Sequence, residues 1–161
     1  MTRQLAIYAW AALVACLSLA ACDVADDSRP LTARAFPRPY RPVSDTGSNA
    51  FSTEQIRDDR QEAQTVMDQA KISRGMTVAD IGAGEGYYTT RLAERVGDNG
   101  RVLAQDIDRE VLQRLGSRVE RERLDNVSIK LGQEDDPGLP EASFDRIFLV
   151  HMYHEGTEPY A

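Results

Sequence analysis

Two segments of the 161-residue chain carry residue types at spacings that suit chemistry. The first is Val78-Ala79-Asp80-Ile81-Gly82-Ala83-Gly84-Glu85-Gly86-Tyr87, where a short apolar run holding one acid meets three glycines at alternate positions. Glycines permit a sharp turn and let a ligand approach the backbone closely, and a helix opening after the loop offers unpaired N–H groups. A dinucleotide fingerprint needs a small residue at position 87 for close helix–strand packing, and that position holds Tyr87. An acid at the strand end would repel a pyrophosphate but favours a ligand bearing an ammonium group. The second segment is His151-Met152-Tyr153-His154-Glu155, directly after an apolar run. Ligands of open α/β sheets sit outside the carboxyl ends of strands. A histidine there can position a reactant or take its proton near neutral pH. His151 and His154 have H-x-x-H spacing, but Glu155 alone does not complete a recognised metal triad, so no metal site is expected.

These segments need a scaffold of strands and helices, and the sequence provides one. Ser52 with Gln55 has capping-box spacing, and Ile56, Ala63, Val66, Met67 and Ala70 recur on one face, which predicts a helix running to about Lys71. Strands are predicted over Thr77–Ile81, Val102–Asp106, Val127–Leu131 and Phe144–Val150. Helices are predicted over Tyr88–Val96 and from Arg109 to about Arg123, with a turn at Asp98-Asn99-Gly100 and a loop at Pro137–Pro140. Strand–helix alternation with short apolar strands means an α/β fold, a Rossmann-like parallel sheet with flanking helices.

With these features in place, the sequence resembles the class I S-adenosylmethionine-dependent methyltransferases. Their first motif, an apolar strand, an acid and then G-x-G-x-G, is matched by Asp80, Gly82, Gly84 and Gly86. The resemblance implies that this loop cradles the methionine part of S-adenosyl-L-methionine. It also implies that Asp106, or Asp108 if the register differs by two, accepts hydrogen bonds from the ribose hydroxyls. Gly132 to Pro140 looks like the acidic loop near the adenine, with Glu134 or Asp135 as the contact, and Ser143-Phe144-Asp145 is similar to the opening of the family's fourth strand. His154 matches a histidine that recurs in similar methyltransferases, which implies acceptor positioning or general-base catalysis; packing beside the cofactor loop is the alternative. Tyr153 could face the sulfonium or pack in the core, and Tyr87 and Tyr88 read as helix-packing aromatics. The family sheet has seven strands, and the sequence to Ala161 holds the first four, so a truncated member is expected. The methyl acceptor is not specified. A non-catalytic binding module of the cell envelope and a nicotinamide-dependent oxidoreductase are the alternatives, and Asp80 and Tyr87 argue against the second.

The N-terminus reads as an address. Arg3 is followed by an uncharged Ala/Leu-rich run from Leu5 to Ala21, as in a secretory signal. Leu19-Ala20-Ala21-Cys22 resembles the lipobox of bacterial lipoproteins, which implies cleavage before Cys22 and its lipidation; an uncleaved span is the alternative. Asp23 resembles an inner-membrane retention signal, so the expected location is the periplasmic face of the inner membrane. The organisation expected is a signal over residues 1–21, a Pro-rich tether over 22–50 and a partial methyltransferase domain over 51–161. Arg29, Arg34, Arg38 and Arg41 in the tether read as solvated charge, with contact to anionic headgroups as the alternative.

Composition narrows the classes further. A formal net charge of −7 argues against broad nucleic-acid binding, which needs a basic surface. Two cysteines cannot make a disulfide scaffold, and a hydrophobic fraction of 42% excludes wholesale disorder.

Overall fold

The computed structural model describes residues 29, 31–37, 53–133 and 136–152. Four parallel strands form one sheet: β1 (Thr77–Ile81), β2 (Arg101–Asp106), β3 (Val127–Leu131) and β4 (Arg146–Phe148), in the order β3-β2-β1-β4. The helices are α1 (Glu54–Asp59), α2 (Glu62–Gln69), α3 (Tyr87–Val96) and α4 (Arg109–Glu122). The expected Rossmann-like arrangement of a parallel sheet with flanking helices is what the chain forms.

Period-2 alternation puts Val78, Val102 and Phe148 on one face of the sheet, where they pack with Leu92, Ala93 and Val96 of α3 and Met67 of α2. Ala104 on the same face packs with Leu112 and Leu115 of α4. On the opposite face Ile147 and Leu149 are about half exposed. Side chains close two of the helix termini. Asp108 caps α4, its carboxylate accepting from the N–H groups of Glu110 and Val111 at 2.8 and 3.2 Å. Asn126 closes α3 from a distance, its side-chain amide donating to the carbonyls of Ala93 and Gly97 at 2.8 and 3.0 Å.

Two expected elements differ. The single helix to about Lys71 is two helices, because Gln61 adopts the left-handed conformation at φ 53° and turns the chain between α1 and α2. Its first turn is capped by Thr53, whose hydroxyl accepts from the N–H of Ile56. Strand four spans Arg146–Phe148 rather than Phe144–Val150. Its pairing with β1 stops where Phe148 lies opposite Asp80, since β1 then enters the glycine loop. At its start Asp145 is tied to Thr77 by both groups, its N–H donating to the Thr77 carbonyl and its carboxylate accepting from the Thr77 N–H, each at 2.8 Å. The acid of the Ser-Phe-Asp sequence therefore sets the β1–β4 register.

Within the expected tether, Ala33–Ala35 forms a 3₁₀ turn, and Arg29 donates to the carbonyl of Phe36 at 2.9 Å, so that stretch folds on itself. The signal region and Cys22 lie outside the described residues.

Candidate cofactor-binding site

The chain runs β1, β2, β3 outward and then returns to place β4 on the other side of β1. Such a reversal leaves a crevice at the carboxyl ends of the two central strands. Here it is a cleft of about 600 Å³ lined by the glycine loop after β1, Asp80, Asp106, Val150–Met152 after β4, and Glu54 and Arg57 of α1.

The three glycines have different duties. All have positive φ: 68° at Gly82, 57° at Gly84 and 91° at Gly86. A Cβ at Gly82 would fall 2.2 Å from the Met152 sulfur, and one at Gly86 would fall 2.5 Å from Leu115 Cδ1. One at Gly84 would meet nothing within 4 Å. Gly82 and Gly86 thus allow close packing, while Gly84 faces the open cleft.

Asp80 and Asp106 stand on either side of this loop. Asp80 is 3% exposed and accepts from the Thr89 hydroxyl at 2.7 Å. Burial pushes its carboxyl up to about 6, with the Asp106 charge adding to the rise and Thr89 opposing it. Asp106 ends β2. One of its oxygens accepts from the Gly84 N–H at 2.9 Å and the other from the Asp108 N–H at 3.0 Å. Each oxygen keeps a lone pair for one further donor. Asp108 caps α4 through one oxygen, and Asp106 is the acid at the end of β2 itself.

Helix α1 closes the cleft on a third side, and charge fixes α1 and α2 in place. Glu54 binds Arg118 of α4 at 2.6 and 3.0 Å, and Arg118 also donates to the Glu85 carbonyl of the glycine loop at 3.0 Å. Asp58 binds Arg91 and accepts from the Tyr87 hydroxyl at 3.1 Å. Glu62 receives Arg57 at 2.7 and 3.2 Å and the Tyr88 hydroxyl at 2.9 Å. Hydrogen bonds from Arg118, Arg91 and Arg57 hold the carboxyls of Glu54, Asp58 and Glu62, respectively, below the usual range. Burial, helped by Glu62, raises the Tyr88 hydroxyl. The tyrosines pack as expected, edge to face with centroids 5.1 Å apart, and they also wall the cleft.

Of the residues singled out in the sequence, Asp80, Gly82, Gly84 and Asp106 line this cleft, while Gly86 packs against Leu115 where α3 begins. Glu134, Asp135, Tyr153, His154 and Glu155 lie outside the described residues. His151 lines the cleft at φ 64°, with its Nε2 3.6 Å from Glu62. Arg57, Glu62 and Thr89 escaped the sequence reading. Nothing in the local pattern marks the first two, because the turn that folds α1–α2 over α3 depends on partners about thirty residues away.

A ligand with an ammonium end, a ribose and an approach to loop backbone fits this arrangement: a buried acid, a strand-end acid with spare acceptor capacity, and an open Gly84. The methyltransferase-domain sequence profile matches residues 78–160. The protein-L-isoaspartate O-methyltransferase of Methanococcoides burtonii is 34% identical over 93 residues, covering 57% of this chain and 45% of that protein. The nocamycin O-methyltransferase of Saccharothrix syringae is 33% identical over 83 residues, covering 52% and 30%. An S-adenosylmethionine-dependent methyltransferase structure from Aquifex aeolicus superposes with a TM-score of 0.58 at 27% identity, covering 68% of this chain and 62% of that one. The chain spans less than half the length of these curated relatives. The profile match covers half of the sequence and takes in all four strands and the glycine loop, and the chain belongs to the methyltransferase-domain family.

Proposed function

We infer that the protein binds S-adenosyl-L-methionine in the β1–β4 cleft and transfers its methyl group to an acceptor. The observation that carries this reading is the convergence of Asp80, Asp106 and the open Gly84 at the carboxyl ends of β1 and β2. When bound, the cofactor supplies an electrophilic methyl on a sulfonium. Asp106 would hold the ribose hydroxyls, and Asp80 would favour the ammonium end. Glu134 or Asp135 would contact the adenine. Methyl transfer asks the protein chiefly to align the acceptor in line with the methyl and, for a protonated acceptor, to remove its proton. His154 is assigned that role from its place after β4. The relatives named above act as O-methyltransferases, which supports an oxygen acceptor on a protein or small molecule.

Titration calorimetry with S-adenosylhomocysteine and NADH tests the reading. Binding of the first alone is expected, and binding of NADH alone would overturn it. Asp106→Asn is expected to weaken S-adenosylhomocysteine binding by about ten- to a hundredfold, the loss of hydrogen bonds to a charged acceptor. Unchanged affinity would remove Asp106 from the site.

The location is part of the same proposal: an exported lipoprotein held through lipidated Cys22 on the periplasmic face of the inner membrane. It is supported by the Leu19-Ala20-Ala21-Cys22 sequence and the apolar run before it. Metabolic labelling with an alkyne fatty acid should mark the native chain and leave Cys22→Ala unlabelled; equal labelling would refute the anchor.

A further inference from the structure

We propose that Arg57, presented by α1 and oriented by Glu62 and the Tyr87 ring, binds the α-carboxylate of the cofactor. The proposal rests on the reading of the cleft as a site for S-adenosylmethionine. The amino-acid end of that ligand carries a cation and an anion on groups attached to one carbon, so a site with a buried acid for one needs a positive group beside it for the other. Among the described residues, Arg57 is the one Arg or Lys that lines this cleft.

Its geometry suits the task. Nε and Nη2 are bound to the Glu62 carboxylate, at 3.2 and 2.7 Å, which fixes the plane of the guanidinium. Its carbon lies 3.5 Å above the Tyr87 ring centroid, a stacked cation–π contact on the first residue of α3. Nη1 makes no hydrogen bond among the described residues. The guanidinium is thereby oriented, half-shielded from water and left with donors to spare, the arrangement that favours recognition of a carboxylate. Arg57 and Asp80 line the same cleft, and the Arg57 charge slightly opposes the rise of the Asp80 carboxyl. Glu62 is then a positioning residue. It reaches Arg57 because the left-handed Gln61 swings α2 back beneath α1.

The test compares three probes by calorimetry on the full chain. S-adenosylhomocysteine carries both charges, its decarboxylated analogue only the ammonium, and 5′-methylthioadenosine neither. In Arg57→Gln, affinity for S-adenosylhomocysteine should fall by about tenfold or more, while the other two should change by less than about twofold. Glu62→Gln should reproduce the pattern with a smaller loss. Parallel losses for all three probes would mean that Arg57 only supports the fold. Undiminished binding of S-adenosylhomocysteine would mean that it does not touch the carboxylate. Either result overturns the proposal and leaves the cofactor reading intact. Failure of the unsubstituted protein to bind any of the three would sink that reading and this proposal with it.

Discussion

Asp80→Asn is expected to stabilise the unliganded protein at pH 7 by up to about 3 kcal/mol while weakening its affinity for S-adenosylhomocysteine. The carboxyl is buried, and burial raises its pKa from the ordinary 3.8 to about 6. At pH 7 it is charged in both folded and unfolded chains, and only the folded chain bears the desolvation penalty. A shift of about two units corresponds to about 3 kcal/mol. The sign follows from the direction. The folded state takes up its proton first as pH falls through 6. The group's contribution to stability is thus fully present below about 3.8 and is lost as pH rises through about 6. The acids paired with arginine on α1 and α2 have depressed values, so their contribution is lost only at lower pH, and over the interval from 7 to 5 the difference between the native chain and Asp80→Asn isolates Asp80. Urea unfolding at pH 7 and pH 5 should show the native chain gaining stability on acidification and Asp80→Asn gaining little. A variant less stable than the native chain at pH 7 would mean that the charge is structurally required. The expected pair of opposite effects identifies a charge kept for a ligand at the expense of the fold.

The Thr89 hydroxyl bears on the same balance. It donates the hydrogen bond that partly offsets the buried charge, and an asparagine at position 80 can accept the same bond through its amide oxygen. The substitution therefore removes the charge with little change in local packing.

The parts of the fold that a sequence shows are those set by local pattern. Thr77–Ile81 and Val127–Leu131 were legible to the residue, the first as a short buried apolar run bounded by turns and the second through its alternating Val127, Ile129 and Leu131 on a more exposed strand. The glycine loop was legible because three left-handed positions in five residues tolerate little else. The break at Gln61 was not. Gln61 is no glycine, and the apolar spacing runs straight through it from Ile56 to Val66. The left-handed turn there persists because Glu54, Asp58 and Glu62 bind arginines and tyrosines of α1, α3 and α4. No residue of α1 is buried, and ion pairs, the Tyr87–Asp58 hydrogen bond and the stacking of Arg57 on Tyr87 hold it over the cleft. Such long-range pairing leaves no periodic trace, and this is why Arg57 and Glu62 emerged only from the structure while Asp80 and Asp106 were visible at once.

The glycine loop yields the other large effect, and there neighbouring glycines should fail in different ways. Gly86→Ala is expected to destabilise the fold by about 2–5 kcal/mol, from two sources. A Cβ-bearing residue at φ 91° is strained by about 1–2 kcal/mol. The new methyl would also fall 2.5 Å from Leu115 Cδ1, and Leu115 is fully buried in α4 with little room to move, an overpacking cost of about 1–3 kcal/mol. Gly84→Ala meets no atom within 4 Å, so its cost is limited to backbone strain of about 1 kcal/mol. Its methyl projects into the cleft, however, and should weaken S-adenosylhomocysteine binding far more than it affects stability. Urea midpoints and calorimetry on both variants separate the outcomes. Equal stability losses would show that neither contact matters individually. The Leu115 contact can be isolated by a double-mutant cycle, since in a Leu115→Ala background the clash is gone and Gly86→Ala should cost only its backbone strain. An unreduced cost in that background would place the whole effect in the left-handed turn that launches α3 from the cofactor loop.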